Sequence, residues 1–283
     1  MKPLLIIGPL CKDILIKENK KISKIGGALY YQSFVYEQLN IPYILAISLA
    51  KKDETLLNHF PNKTKIKPIF KNETISFINQ YVTPEERIQS SNFSNIPITK
   101  NDIEPIIKNN QFSAIILNPL LRTDFSQDLI NYLKNIKIPI YLSLQGYLRT
   151  KNDDNKVKLF KNHDIKEILS NLTGLFLDQN EAKVLFNKQT SLNNIANNLS
   201  KMGPEEVIIT KAHKGSIIYS KITNSLINIP AVKVKEVNYP TGSGDTFMAA
   251  YLSKRLSGSS IIFSANYASK LTSLKIEKGY LNL

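Results

Sequence analysis

A carboxylate at the end of a glycine-rich turn is the strongest chemical signal in this 283-residue chain. The segment Tyr239-Pro240-Thr241-Gly242-Ser243-Gly244-Asp245-Thr246-Phe247 follows a strand-like run at 232–237. It leads into a stretch where Met248, Leu252 and Leu256 recur at i, i+4 and i+8, one buried helix face. Gly242 and Gly244 let backbone approach a ligand with no Cβ in the way. Amides at a helix N-terminus attract an anion, so Gly242, Ser243 and Gly244 read as an anion hole for phosphate. Asp245 has no place in holding phosphate, because like charges repel. It suits a base that takes the proton of an attacking hydroxyl while the amides hold charge developing on the phosphoryl oxygens. With magnesium, these are the parts phosphoryl transfer needs. Spacing alone is met equally by an aspartate that stabilises a helix start beside a glycine turn. The chain has no Gly-Lys-Ser/Thr P-loop and no G-x-G-x-x-G helix opening.

The other reactive side chains narrow the classes. One cysteine, Cys11, excludes an intrachain disulfide and a cysteine zinc cluster. His59, His163 and His213 lack ligand spacing. A net charge of +14 gathered on one face would suit nucleic acid or an anionic membrane, but the lysines are scattered. No Arg-rich run, zinc finger or aromatic ribonucleoprotein motif accompanies them, so no nucleic-acid partner is expected. Leu4-Leu5-Ile6-Ile7 is too short for a signal-peptide core or a bilayer span, so a cytoplasmic protein with no membrane partner is expected, as a monomer or homodimer.

The elements that must position Asp245 follow from apolar patterning. Short apolar runs at 4–7, 43–48, 114–117, 140–144, 174–177 and 207–210 predict strands. Amphipathic stretches at 29–39, 125–133, 180–186, 192–200, 245–256 and 261–273 predict the helices between them. Such alternation predicts a doubly wound α/β sheet covered on both faces. Two regions, 14–25 and 65–89, are strand-like without helices and predict a small β lid on a single domain spanning 1–283. Ligands of open parallel sheets bind beyond the carboxyl ends of the strands, where Asp13, Gln145 and Arg149 stand. Gln145 and Arg149 are placed to touch substrate or phosphate, although for Arg149 a surface arginine is the favoured reading, and Cys11 is read as a small buried residue.

At this point the sequence resembles the ribokinase (PfkB) family of carbohydrate kinases. Thr241-Gly242-Ser243-Gly244-Asp245-Thr246-Phe247 is similar to that family's T-G-A-G-D-T-F. Gly8-Pro9-Leu10-Cys11-Lys12-Asp13 resembles its first strand and substrate-binding aspartate, and Gly26-Gly27 its paired glycines. Asp178-Gln179-Asn180-Glu181 resembles N-x-x-E, and Thr210-Lys211-Ala212-His213-Lys214-Gly215 resembles T-x-G-x-x-G. The resemblance covers nearly the whole chain. It implies a ribokinase-like three-layer α/β sandwich with a mainly parallel central sheet and a small β lid. It also implies ATP-dependent phosphorylation of a hydroxyl on a small sugar or polyol, with Asp245 as catalytic base. Asp13, Gly26, Gly27 and Gln145 would bind the acceptor, and Asp178, Thr210, Ala212, Gly215 and Asn266 the nucleotide. Glu181 would organise Mg2+ through water.

The departures have consequences of their own. Tyr31 stands where the family has the Asn after its paired glycines. Tyr239 replaces the Asp that serves a monovalent cation, which implies a weak response to potassium. Ala212 replaces a glycine and Asp178 an asparagine. The short stretch between Asp13 and Gly26 implies a reduced lid. A nucleoside kinase on the same fold and a non-catalytic nucleotide-binding protein are the alternatives.

Overall fold

The computed structural model describes residues 1–17, 20–81, 87–92, 96–152, 154–186 and 189–280. The chain begins β1 (Leu4–Pro9), β2 (Cys11–Lys17), β3 (Lys20–Gly26), α1 (Ala28–Gln38) and β4 (Tyr43–Ala50). After a 3-10 segment (Lys51–His59) come β5 (Ile66–Lys71), β6 (Ile75–Tyr81), β7 (Arg87–Ser91), α2 (Lys100–Lys108), β8 (Ala114–Leu117) and α3 (Gln127–Lys134). The middle continues β9 (Ile140–Ser143), β10 (Arg149–Lys151), β11 (Val157–Leu159), α4 (Ile165–Leu169), β12 (Gly174–Asp178), α5 (Gln179–Leu185) and α6 (Leu192–Lys201). The last elements are β13 (Glu206–Thr210), β14 (Ser216–Ser220), β15 (Ser225–Ile229), α7 (Ser243–Arg255) and α8 (Ile261–Lys278).

The six apolar runs read as strands become the middle of one nine-stranded sheet, ordered β15-β14-β13-β12-β9-β8-β1-β4-β5. All pairs are parallel except β13–β14 and β14–β15. Alternation along β1 divides the core in two. Leu5 and Ile7 pack with residues of α2 to α6, such as Ile103, Leu129, Leu169, Ala182 and Leu199. Leu4 and Ile6 pack with Leu29 and Tyr36 of α1, Ala249 and Leu252 of α7, and Ala268 of α8. Helices on both faces of a mainly parallel sheet make the three-layer α/β sandwich. Winding reverses between β1 and β8, so a crevice opens at their carboxyl ends. No helix among the described residues is long and apolar enough to cross a membrane.

A second sheet, β3-β2-β6-β7, covers that end. It is seated on a small cluster of Cys11, Ile75, Phe77, Leu120 and Leu121. The lid therefore starts at Cys11 and takes its second half from β6 and β7, while residues 18–19 and 82–86 of the expected lid lie outside the described residues. The part of the expected lid at 66–71 is corrected: β5 pairs with β4 at the margin of the central sheet. Ile66 and Ile69 are buried while Lys67, Pro68 and Phe70 face solvent. An edge strand, which tolerates proline, therefore has the same text as a lid strand.

Two further expectations change. Among the described residues, segment 232–237 pairs with no strand, and the sheet ends at β15; Val232 and Val237 are exposed. It is tied instead to the end of α8, with the Lys235 amide donating to Glu277 Oε1 at 2.6 Å and the Tyr239 amide to the Ile276 carbonyl at 2.9 Å. Helix α8 runs five residues past its expected end at 273, through Lys278, and stops at Gly279, whose φ of 75° is open to glycine at little cost. Those extra residues bring Lys275 to the loop before α7.

Candidate active site

The floor of the crevice is fixed by close backbone contacts. A Cβ on Gly8 would lie 2.5 Å from the Asn118 carbonyl oxygen. The Asn118 side chain is buried and exchanges amide hydrogen bonds with buried Gln32 of α1, at 3.1 and 3.2 Å. Strand β2 leaves β1 after a single residue, Leu10, and carries Asp13 into the lid beside Gly26 of β3. Gly26 is required there, since its Cβ would stand 2.2 Å from Asp13 Oδ2 and 2.7 Å from Cys11 Sγ. Gly27, with φ 98°, opens α1.

On the opposite wall, Gly242 precedes α7 with φ 79°. Its absent side chain makes room for the Tyr31 ring, whose atoms would lie 2.4–2.7 Å from a Cβ. The Ser243 amide and hydroxyl both donate to the Pro240 carbonyl, at 3.2 and 2.5 Å. The Thr246 hydroxyl donates to the Gly242 carbonyl at 2.8 Å and shares a short bond with the Tyr280 hydroxyl. The Gly242, Gly244 and Asp245 amides have no acceptor among the described residues. A Cβ on Gly244 would meet nothing within 4 Å. Of the three expected anion-hole residues, Ser243 thus turns its donors inward, while Gly242 and Gly244 keep theirs available.

Electrostatics link the walls. Burial pushes the Asp245 carboxyl up to about 6, opposed by Lys275 and then Arg149. The Tyr31 phenol is raised by burial and then by the carboxylates of Asp13 and Asp245, so its ring stands within reach of both. The Cys11 thiol is raised by burial and then by Asp13. Arg149, read from sequence as a surface residue, is corrected: its guanidinium lies over the Phe77 ring at 5.3 Å and bears on Asp245, Glu181 and Asp124. Asp124, also missed, accepts from the Leu120 and Leu121 amides at 2.7 and 2.9 Å, and burial raises its carboxyl to about 7. The place of Arg149 after β9 and its 3-10 turn (Gln145–Leu148) was the available signal for it. Lys275 gave none.

Asp178 and Glu181 form a capping box on α5. The Asp178 Oδ1 accepts from the Asn180 and Glu181 amides at 2.6 and 2.8 Å, and Glu181 Oε2 accepts from the Asp178 amide at 2.9 Å. The Gln145 side chain acts on Glu181, favouring its charged form. Glu181 is 5% exposed, and burial, then the Asp178 charge, push its carboxyl up to about 7. Thr210 ends β13 in register with Asp178. Ala212 and Gly215 turn the chain into β14, both with positive φ, 50° and 82°. Asn266 stands on α8, apart in sequence from these elements. It is exposed, bonds back to the Ile262 carbonyl at 3.0 Å, and lies nine residues, about 14 Å of helix, from Lys275.

The model of the pfkB family of carbohydrate kinases matches residues 85–283. A nucleoside kinase of Methanocaldococcus jannaschii is 34% identical over 92 residues, covering 32% of this chain and 28% of that one. A nucleoside kinase of Methanothermobacter thermautotrophicus is 32% identical over 101 residues, covering 33% and 31%. The chain thus matches under a third of the length of these curated relatives. A pyrophosphate-dependent kinase of the ribokinase family, solved with sulfate, has a TM-score of 0.83 at 21% identity, covering 96% of this chain and 95% of the other. Arabidopsis thaliana ribokinase with ribose and ATP has a TM-score of 0.74 at 17% identity, covering 97% and 92%. Both share the fold.

Proposed function

The chain belongs to the pfkB family of carbohydrate kinases, and from that premise we propose that it transfers the terminal phosphoryl group of ATP to a hydroxyl of a small sugar or polyol. The observation that carries this reading is Asp245. A carboxyl raised to about 6 stands in the first turn of α7, among amides with no internal acceptor and beside open space at Gly244. Such a group is mostly ionised at neutral pH yet basic enough to accept a hydroxyl proton, while adjacent amides hold the transferring phosphoryl oxygens.

The acceptor would lie between Asp13 and Asp245, with the Gly26–Gly27 backbone beside it and Gln145 at the far edge. Asp13 orients the acceptor by accepting its hydroxyls; Asp245 removes the proton from the attacking one as the O–P bond forms and the bond to the leaving diphosphate breaks. The Thr210–Gly215 turn and Asp178 would border the donor. Asn266, well along α8, would serve only an extended nucleotide.

Magnesium fits this site through Glu181, with Asp178 beside it. Both offer hard oxygen donors, and the burial and the Asp178 charge that together raise Glu181 are what a cation would offset. Among the described residues no cluster of three or more His, Cys, Asp or Glu forms a cage, so an ion here would take its remaining ligands from water and phosphate. When bound, it would neutralise charge on the donor phosphates.

The test is product formation from ATP and magnesium over polyols, pentoses, hexoses and nucleosides, with pyrophosphate as a parallel donor. Nucleosides belong in the panel because the sequence relatives are nucleoside kinases, and pyrophosphate because a structural neighbour uses it. Asp245→Asn should cut turnover by about two to four orders of magnitude. The folded-state pKa of Asp245 is raised, so ionised Asp245 weakens the fold above about pH 6, and the variant should melt no lower than wild type at pH 7. Near-wild-type turnover in the folded variant would remove Asp245 from the chemistry.

A further inference from the structure

Behind the anion hole lies a buried ammonium with no carboxylate bonded to it. Lys275, in the last turn of α8, is 1% exposed. Its Nζ donates to the main-chain carbonyls of Tyr239, at 2.7 Å, and of Thr241. The Tyr280 and Tyr31 rings flank it, their centroids 5.1 and 5.7 Å away. Among the described residues it forms no salt bridge. Burial lowers its pKa to about 8, against the pull of Asp245.

Burying an amine is costly, and an apolar side chain would fill the same space with less penalty. The neighbours explain the charge. Carbonyl oxygens and aromatic faces are neutral cation ligands, of the kind that hold a bare monovalent ion. Their geometry also acts on the loop. A trans peptide is planar, so its C=O and N–H point in opposite directions. Drawing the Thr241 carbonyl toward Lys275 therefore sends the Gly242 N–H away from it, to the side where that amide finds no internal acceptor. The Tyr239 carbonyl belongs to a peptide ending at Pro240, which has no N–H, so it turns to the ammonium without burying a donor. The Tyr239 side chain, standing where an acidic cation ligand was expected from the family pattern, is exposed; only its carbonyl takes part.

We propose that Lys275 is a positioning residue of the phosphoryl-transfer site: its ammonium is a built-in substitute for a bound monovalent cation, aiming the Gly242 amide at the donor and making turnover independent of potassium. This rests on the kinase reading above. Because the ion is tethered, it is present at full occupancy whatever the salt.

The test replaces the tether. Wild-type turnover should change by less than about twofold when potassium replaces sodium at fixed ionic strength, whereas Lys275→Ala should lose about a hundredfold or more in kcat, the cost of one misplaced oxyanion donor, with acceptor KM nearly unchanged. Potassium, ammonium or ethylammonium should restore about tenfold or more of that loss, and tetramethylammonium, too large for the gap, should not. The same small cations should raise the Tm of Lys275→Ala but not of wild type, a readout that needs no acceptor. Should wild type prove inactive on every acceptor and donor, the kinase reading fails while the melting result still decides the cation site. Lys275→Met, which fills the space of the lysine stem without the ammonium, guards against collapse. Either variant folded and within about threefold of wild-type turnover would overturn the proposal. So would a folded Lys275→Ala whose melting and turnover ignore every cation, or failure of both variants to fold in any of these salts.

Discussion

Gly242 and Gly244 stand two residues apart, yet an added methyl should affect them in opposite ways. At Gly244 a Cβ meets no atom within 4 Å, and the residue lies in the first turn of α7. Alanine there should leave stability unchanged or raise it by up to about 1 kcal/mol through lower backbone entropy in the unfolded chain. Unfolding entropy near 2.1 cal/mol/K per residue gives about 0.6 kcal/mol/K for 283 residues, so the gain is at most about 2 °C in Tm. The same methyl would occupy space beside the Gly244 and Asp245 amides, where a phosphate oxygen must come within about 2.9 Å of an N–H. Losing one such bond in the transition state costs about 3–4 kcal/mol, so kcat/KM for the donor should fall by about two to three orders of magnitude. At Gly242 the backbone has φ 79° and a Cβ would press to 2.4 Å from the Tyr31 ring. Left-handed strain of about 1–2 kcal/mol plus overpacking of about 1–3 kcal/mol should lower Tm by about 3–8 °C. Ligand-free melting curves and steady-state kinetics with the donor varied measure both effects. If Gly244→Ala keeps wild-type donor kinetics, or melts as low as Gly242→Ala, the open space at Gly244 is not a phosphate cradle.

The pH profile of kcat/KM should rise through about 6 as Asp245 ionises and fall above about 8 as Lys275 loses its proton. Burial keeps Tyr31, Tyr280 and Cys11 protonated across that span, and Arg149 stays charged. Lys275→Ala supplied with potassium should lose the alkaline limb; persistence of that limb would assign it to another group. Asp13→Ala should lower kcat/KM for the acceptor by about ten- to a hundredfold while leaving donor KM unchanged, since one charge-assisted bond contributes about 1.5–3 kcal/mol and Asp13 stands in the lid, on the acceptor wall. A variant that melts lower but keeps its acceptor kinetics would make Asp13 a turn residue only.

Local sequence carried the parts that repeat. Runs such as Leu4-Leu5-Ile6-Ile7 are buried on both faces of a parallel sheet, and their unbroken apolar character announces it. The Gly242–Asp245 turn was legible because strained backbone and a helix start demand particular residue types. Lys275 was hidden for the opposite reason. A lysine in the last turn of a helix is favourable for the macrodipole on any protein surface, and here it is one of 37 basic residues. Its role depends on carbonyls 34 and 36 residues away, and no spacing rule reaches that far. Arg149 was obscured likewise, since its meaning lies in Phe77, Glu181 and Asp245, each from a different element. The lid boundary at 65–71 failed because a short edge strand that buries only Ile66 and Ile69 mixes apolar and polar residues much as a lid strand does.

The ring of Tyr31 beneath Gly242 ties two positions of the gene that lie more than two hundred codons apart. By chain order Tyr31 belongs to the acceptor wall, in the helix opened by Gly27, yet its ring fills the space a side chain at 242 would need. It also stacks on Tyr280, with centroids 6.0 Å apart, and faces the Lys275 ammonium. Drift at position 31 is therefore paid for at the donor loop: a small residue there leaves the loop unsupported, and a larger one at 242 is admissible only after the ring has gone. Homologues that differ at one of these sites should differ at the other, and a graft of the acceptor wall from a relative will carry the donor loop with it or fail.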